Sequence, residues 1–440
     1  MFNIAKTKEY LWEICKSDEI VDNEFLKNKM LTYWYRNGIA IYLDAKNIKS
    51  LRNAINEVRK DETVKFNFLE KHVEDKLKDI ISNCHKLPLN ERSNLIDNEL
   101  ELFRSELKKE INEWVFWIPI DNLNLLTDNP FSVGNVKFFR LDHTKAEEIT
   151  EKIKISNTND ERFKTHINNH YINPNIDKIF AEVKVRGVKK YARENGMNQI
   201  RMAINVLRLY AHSNQNFGIR GEITPRFYRK SFEFTADYEK KVFPNELIGS
   251  VKEFLLNDNL IEFMKNNGFD RLDLMLKTRK PTFFETRILT AIYWFGEAMG
   301  TEIFEKEIYE QKKKHHENLE YFKIGEKYIK LSTALESILT FEQYEPIKLN
   351  IAERTAFIIG KNYRQRKIII NILKELYDVR SNITHNGYVF VSKSDLQELI
   401  YVFRNVIIAL LELDKKYKFK SKESITDFFD RLKLKCTSDW

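Results

Sequence analysis

Glycine and proline are scarce in this chain, 13 and 8 among 440 residues, where an average protein devotes roughly 12% of its positions to the two. So few turn-formers exclude a sandwich or barrel of many short strands and point to long helices. Cysteine is scarcer still. Cys15, Cys84 and Cys436 are odd in number and far apart, which argues against a disulfide framework or a zinc site and suits a reducing, cytoplasmic setting. The longest apolar run, Val406 to Leu411, falls far short of the ~20 residues that span a bilayer, so no membrane partner is expected. The opening stretch, Met1 to Cys15, has no continuous apolar core of the signal-peptide kind. Charge of one sign is also nearly lacking in excess: the net charge is +8 and the pI near 8.9. That balance permits nucleic-acid binding without requiring it.

What is present is apolar periodicity. Residues 1–113 read as a helical N-terminal region, with Leu69, Val73, Leu77, Ile80 and Ile81 recurring at three and four. From Trp114 to Leu141 the chain turns aromatic and β-branched, punctuated by Asp128-Asn129-Pro130 and Gly134-Asn135, as strands and turns are. A polar stretch, 154–175, reads as loop. A strand is expected over 179–188, a helix over 189–212 and an extended segment over 220–234. We place an α/β domain, a sensor or an RNA guide, at 114–245 and a helical domain at 246–440. Helices are expected over 246–256, 259–267, 283–299, 325–341, 349–360, 364–381 and 394–417.

The segment Tyr363 to Asn386 carries the chemistry. Ile368, Ile372 and Leu376 form a stripe with Ile369 and Leu373 beside it, and the next position on that stripe is Arg380. A guanidinium entering a core needs an anion, either a protein carboxylate or a substrate phosphate. Ser381, Asn382, Thr384 and Asn386-Gly387 are poor helix formers, so the helix is expected to end there. His385 follows Arg380 by five residues, about 140° around an unbroken helix, and a bend between them would aim both into one cleft. The plain alternative is a helix terminus whose histidine satisfies backbone carbonyls.

An arginine, four residues and a histidine at the junction of two long helices resembles the motif of the HEPN superfamily. The flanking segments Tyr328–Leu339 (YIKLSTALESIL), Ile351–Gly360 (IAERTAFIIG) and Leu376–His385 (LYDVRSNITH), with the long helix 394–417, are similar to its ApeA-like branch. The likeness spans about 283–417. Two departures stand out: Ser381 follows the arginine where Asn, Asp or His is frequent, and Asn386 separates the histidine from Gly387. The resemblance implies a mainly α fold with a C-terminal HEPN-like bundle, and metal-independent endoribonuclease activity without a cofactor. It also implies a role in bacterial antiviral defence or growth arrest, with a phage-derived trigger or an antitoxin as further partner. RNA brings its own nucleophile, the 2′-OH, so the site has only to move protons and stabilise phosphorane charge. Histidine titrates near neutrality and suits the first task, and arginine grips phosphate bidentately for the second. By resemblance Glu336 orients Arg380, the alternative being a solvated residue beside the stripe Tyr328–Leu331–Leu335–Ile338. Ser381 and Asn382 would contact the substrate. The runner-up is a non-catalytic module that binds RNA or a partner protein.

Cleavage by 2′-OH attack needs both a proton acceptor and a donor, and His385 is the only histidine after His316. A homodimer sharing one site is therefore expected. Leu396, Ile400, Phe403, Ile407 and Leu410 are a candidate contact that intrachain packing explains equally well. Two basic, aromatic stretches could guide RNA: Arg220, Arg226, Arg229 and Lys230 around Phe227 and Tyr228, or Lys415 to Lys422 around Tyr417 and Phe419. The alternatives are a solvated edge strand for the first and a lysine-capped helix end, which is favoured, for the second. Glu182-Val183-Lys184 echoes a metal-nuclease strand, but Asp177 precedes it too closely. Its alternation fits a half-exposed strand better. His166 and His170 lie in an Asn-rich loop without the glutamate of a zinc-protease motif. Lys312–His316 reads as a solvated charged run.

Overall fold

The computed structural model describes residues 2–16, 33–36, 39–42, 45–109, 111–127, 129–152, 165, 168–212, 215, 217–219, 232–236, 242–246, 253–300, 313–342, 344–386 and 391–434. The chain is mainly helical and divides into two compact units, one of residues 1–116 and 184–197, the other of 117–183 and 198–440.

The first unit is built on α1 (Ile4–Cys15), α2 (Ala45–Arg59), the short α3 (Glu62–Lys65), α4 (Glu70–Cys84) and α5 (Leu89–Lys109). Asn3 starts α1 by accepting from the Lys6 amide, and Asp61 does the same for α3 from Thr63. Their apolar faces close one core, with Leu11, Ile14, Val58, Val73, Leu77 and Ile81 fully buried or nearly so. Buried Arg92 ties α5 to α1 by donating to the Cys15 carbonyl at 2.7 Å. The Cys15 and Cys84 thiols, 69 positions apart in sequence, meet in this core. Their mutual hydrogen bond, and then burial, push the Cys15 thiol well above its ordinary range. An antiparallel hairpin, β1 (Tyr33–Arg36) with β2 (Ile39–Tyr42), lies within the region expected to be all helix.

The second unit holds a helical bundle and most of a small sheet, while residues 112–116 and 184–187 of that sheet and the first half of the helix Lys189–Tyr210 belong to the first unit. Strands β3 (Asn112–Asp121), β4 (Leu123–Leu125), β5 (Phe131–Val133) and β6 (Val136–Arg140) fall where the aromatic, turn-punctuated stretch put them. After α6 (His143–Lys152) come β7 (Ile179–Gly187), the long α7 (Lys189–Tyr210) and β8 (Gly218–Ile219). The five-stranded sheet has the order β5-β6-β7-β3-β8, with antiparallel registers such as Lys137 opposite Glu182 and Ile120 opposite Ile219. A second hairpin joins β9 (Phe232–Ala236) to β10 (Val242–Glu246).

The helix expected over 246–256 is corrected. Its first residue ends β10, and Phe254–Leu256 form β11, which pairs in parallel with β4. Phe254 and Leu256 are buried while Leu255 is 43% exposed, a period of two that a three-residue apolar run cannot reveal in sequence. Helices α8 (Asp258–Asn266) and α9 (Phe269–Lys277) lead into the bundle of α10 (Phe283–Gly300), α11 (Lys313–Leu339), α12 (Ile347–Ile359), α13 (Tyr363–Asn386) and α14 (Lys393–Tyr417), followed by α15 (Lys422–Leu434). Among these, α6, α9 and α15 were not foreseen. The links from α11 to α12 and from α12 to α13 are short, and α12 and α13 pack against each other. The stripe Leu396, Ile400, Phe403, Ile407 and Leu410 is at most 8% exposed, so packing inside the chain accounts for it. Phe295 of α10 stacks on Phe403 at 4.8 Å. No helix among the described residues is long and apolar enough to cross a membrane.

Candidate active site

Arg380 sits on α13 where the apolar stripe runs out. Leu373 and Leu376 are buried, but the stripe leaves the core toward the N-terminus, where Ile368 is 51% exposed. The face that Arg380 joins is fixed to α11 by Tyr328, itself fully buried, whose hydroxyl donates to the Leu376 carbonyl at 2.6 Å. That carbonyl is also the one toward which the Arg380 amide points in the helical ladder. Burial pushes the Tyr328 phenol far above its ordinary range, so it acts only as a neutral donor.

The anion that Arg380 requires is Glu336 of α11. Arg380 Nε lies 3.2 Å from Glu336 Oε1, both side chains being about a quarter exposed or less. Nε has no well-aligned hydrogen bond, so the contact is an ion pair more than a directed bond. Tyr377, one turn before Arg380, donates its hydroxyl to the same carboxylate oxygen at 2.7 Å, and its ring lies 5.5 Å from the guanidinium carbon. Burial, then the bond to Glu336 and its charge, hold the Tyr377 phenol well above its ordinary value, against the opposing pull of Arg380. The end of α11 that carries Glu336 is in turn anchored. Arg287 of α10 donates to the Glu336 and Thr340 carbonyls, and Arg354 of α12 donates to Leu339. Neither Nη of Arg380 makes a hydrogen bond among the described residues. The result is a guanidinium held from its inner edge, its outer fork unpartnered among the described residues.

The helix end is corrected as well. α13 does not stop at Ser381, the expected end, but runs through Asn386. Thr384 stays in the helix by donating its hydroxyl to the Arg380 carbonyl at 3.0 Å. No bend therefore turns His385 toward Arg380. The imidazole is exposed in the last turn, about 140° around and ~7.5 Å along the helix from the arginine. Ser381 is half-buried and Asn382 exposed beside them.

Arg220, Arg226, Arg229 and Lys230 lie outside the described residues, as do His166 and Lys312. Of the two rings in the second basic stretch, Tyr417 is half-buried and Phe419 is not offered. Phe419 is 3% exposed and packs on Phe284 and Phe428, while Lys418 closes α14 in the left-handed conformation at φ 53. Glu182 receives the Trp117 indole N–H at 2.7 Å and Lys184 is exposed, the arrangement of a half-exposed strand. Among the described residues no three His, Cys, Asp or Glu side chains converge as a metal site would require. His170 is exposed in a single π-turn, Asn168–Ile172.

Sequence reasoning missed Tyr377 and the arginine brace of Arg287 and Arg354. The signal for Tyr377 was its place three residues before Arg380 on the same helix face, whereas the brace has no local signature. No family model, curated protein or solved structure matches this chain.

Proposed function

We propose that this chain is a metal-independent endoribonuclease of the HEPN type, with Arg380 and His385 as its working groups. The observation that carries the reading is the guanidinium of Arg380, gripped on its inner edge by Glu336 and with no hydrogen bond at either Nη among the described residues, on the helix whose last turn carries His385. An unpartnered fork of this kind suits a phosphate's two non-bridging oxygens. In the reaction, the 2′-oxygen forms a bond to phosphorus and gives its proton to one imidazole. The bond from phosphorus to the 5′-oxygen breaks, and a second imidazolium protonates that leaving oxygen. Arg380 balances the charge that gathers on the phosphorane. Ser381 and Asn382 contact the neighbouring sugar or phosphate.

One chain offers one such histidine, and it lies on a different side of α13 from its own arginine. The working site is therefore shared by a homodimer that gathers both copies of His385 and both copies of Arg380 around one phosphate. A ribonuclease without restraint harms its host, so the region before the bundle holds it silent until a trigger arrives, consistent with defence or growth arrest.

The same separation of His385 from Arg380 favours one second reading, a module that binds RNA or a partner protein without cutting. Purified protein incubated with total RNA in EDTA separates the two. The nuclease leaves 2′,3′-cyclic phosphate and 5′-hydroxyl ends and spares an oligonucleotide with a 2′-deoxy sugar at the cut. Retention of RNA without any new ends gives the binding module, and equal cutting of DNA or dependence on a divalent metal sinks the HEPN reading.

A further inference from the structure

The sheet of the second unit has a face that is only half covered. Phe139, Phe180 and Trp117 on that face pack with Ala146 of α6 into a small apolar cluster. Beside that cluster the same face continues with Lys137 and Glu182, directly opposite each other on β6 and β7. There a cleft of about 610 Å³ opens, floored by Lys137, Phe139 and Glu182 and walled by Leu125, Pro130 and Lys145. That volume is in the range of small-molecule sites.

Its polar groups are unevenly satisfied. Lys137 is exposed and makes no ion pair or hydrogen bond among the described residues, not even with Glu182 across the strand. Arg140 also lines the cleft, and it is held only by neutral oxygens: the Asp177 carbonyl at 3.0 Å, the Asn124 amide oxygen at 2.8 Å and the Leu125 carbonyl at 2.7 Å. These bonds fix the guanidinium without cancelling its charge. The carboxylates nearby are already used. Asp142 accepts from the Lys145 amide at 2.7 Å to start α6. Glu182 takes the Trp117 N–H on Oε2, with Lys145 Nζ 4.0 Å from the same oxygen, which leaves Oε1 without a partner among the described residues. Lys145 is spoken for by Glu148 at 2.6 Å.

A ligand that answers all of these groups carries an anion for Lys137 and Arg140, and a flat apolar body for the exposed Leu126 and Pro130. It also carries a hydroxyl or amino donor for Glu182. We propose that this cleft binds a phosphorylated nucleoside, its phosphate at Lys137 and Arg140 and its ribose hydroxyl or base amine at Glu182. The source of that chemistry is either a free nucleotide or the 5′-phosphorylated end of an RNA. The proposal stands independently of any cleavage at Arg380.

The test is calorimetric titration of the full chain with the four nucleoside monophosphates and triphosphates, the unphosphorylated nucleosides, inorganic phosphate, and a short RNA with and without a 5′-phosphate. At least one phosphorylated ligand binds, and its unphosphorylated form binds about tenfold or more weakly, the factor expected for a lost charge-assisted contact. Lys137→Ala, an exposed change that leaves the melting temperature unaltered, weakens it by a similar factor. Glu182→Gln weakens the nucleotide and leaves inorganic phosphate unchanged. Binding of free nucleotides identifies one source, and binding of the phosphorylated RNA end alone identifies the other. If nothing in the panel binds at millimolar concentration, or if Lys137→Ala binds like wild type, the proposal is overturned.

Discussion

The pairing of Glu336 with Arg380 can be weighed by a double-mutant cycle of Glu336→Gln and Arg380→Gln. The closest atoms are 3.2 Å apart, and the side chains are 19% and 25% exposed. Two unit charges about 4 Å apart in a partly buried setting attract by roughly 4 kcal/mol at an effective dielectric constant of ~20. Exposed pairs retain only about 0.2–1 kcal/mol after screening and side-chain ordering. The misaligned Nε and the residual exposure place this pair between those limits, so a coupling of about 1–2 kcal/mol is expected. Because the chain holds two compact units, unfolding need not be a single transition. Urea titration should therefore be read in the step in which amides of α11 and α13 lose protection against hydrogen exchange. In RNA cleavage, Glu336→Gln keeps an acceptor for Tyr377 but loosens the guanidinium, lowering activity about tenfold, mainly through KM. Arg380→Gln abolishes it. Coupling below about 0.3 kcal/mol together with wild-type cleavage in Glu336→Gln would refute the claim that this carboxylate holds the arginine.

His385→Ala is expected to abolish cleavage with a melting temperature within a degree or so of wild type, because an exposed imidazole in a last turn contributes little packing; full activity in this variant would remove His385 from the chemistry. Mixing His385→Ala chains in increasing excess with wild-type chains should lower the activity per wild-type chain, and constant activity per chain would exclude a shared site. Glu285 is buried against Arg271, which Asp414 also binds, and caps α10 by accepting from the Thr282 amide. Burial works against its charge, but the Thr282 amide and Arg271 outweigh it and hold the carboxyl below its ordinary value. Its contribution is therefore complete above the ordinary glutamate pKa of about 4.3 and is lost as pH falls through the lower folded value. Thermal melts between about pH 5 and 3 should show that loss, and Glu285→Gln should flatten the slope. Gly268→Ala, at φ 87 with Leu411 Cδ1 2.8 Å from the new Cβ, should destabilise α9 by about 1–3 kcal/mol in the same melts.

The long helices of the bundle were legible because each carries four or more turns of apolar periodicity, and α7 and β7 were readable for similar reasons. Short elements were not. The hairpin of β1 and β2 announces itself only by Asn37-Gly38 between two aromatic and β-branched runs, a signal for a tight turn that the helical pattern on either side obscured. Helix α15 hides its stripe, Ile425, Phe428 and Phe429, behind a lysine-rich entry. The overrun of α13 past Ser381 shows propensity yielding to context. Ser381, Asn382 and Thr384 each disfavour a helix by a few tenths of a kcal/mol, and the Thr384 hydroxyl with half-buried Ile383 is enough to carry the helix on. At the site, an arginine on a core stripe demanded an anion, either a protein carboxylate or a substrate phosphate, and that much could be read. Which carboxylate meets it depends on how α11 lies against α13, a tertiary fact 44 residues away in sequence that no local pattern encodes.

The buried pair of thiols in the first unit provides a built-in clock. Cys15 and Cys84 are both fully inaccessible, and the raised Cys15 thiol holds back the reactive thiolate. An alkylating reagent can therefore reach them only when α1 and α4 part. With Cys436 replaced by serine, the rate of label uptake at fixed reagent concentration reports how often that core opens. The same measurement repeated with RNA or a nucleotide present would tell whether occupancy elsewhere on the chain changes the breathing of its N-terminal helices.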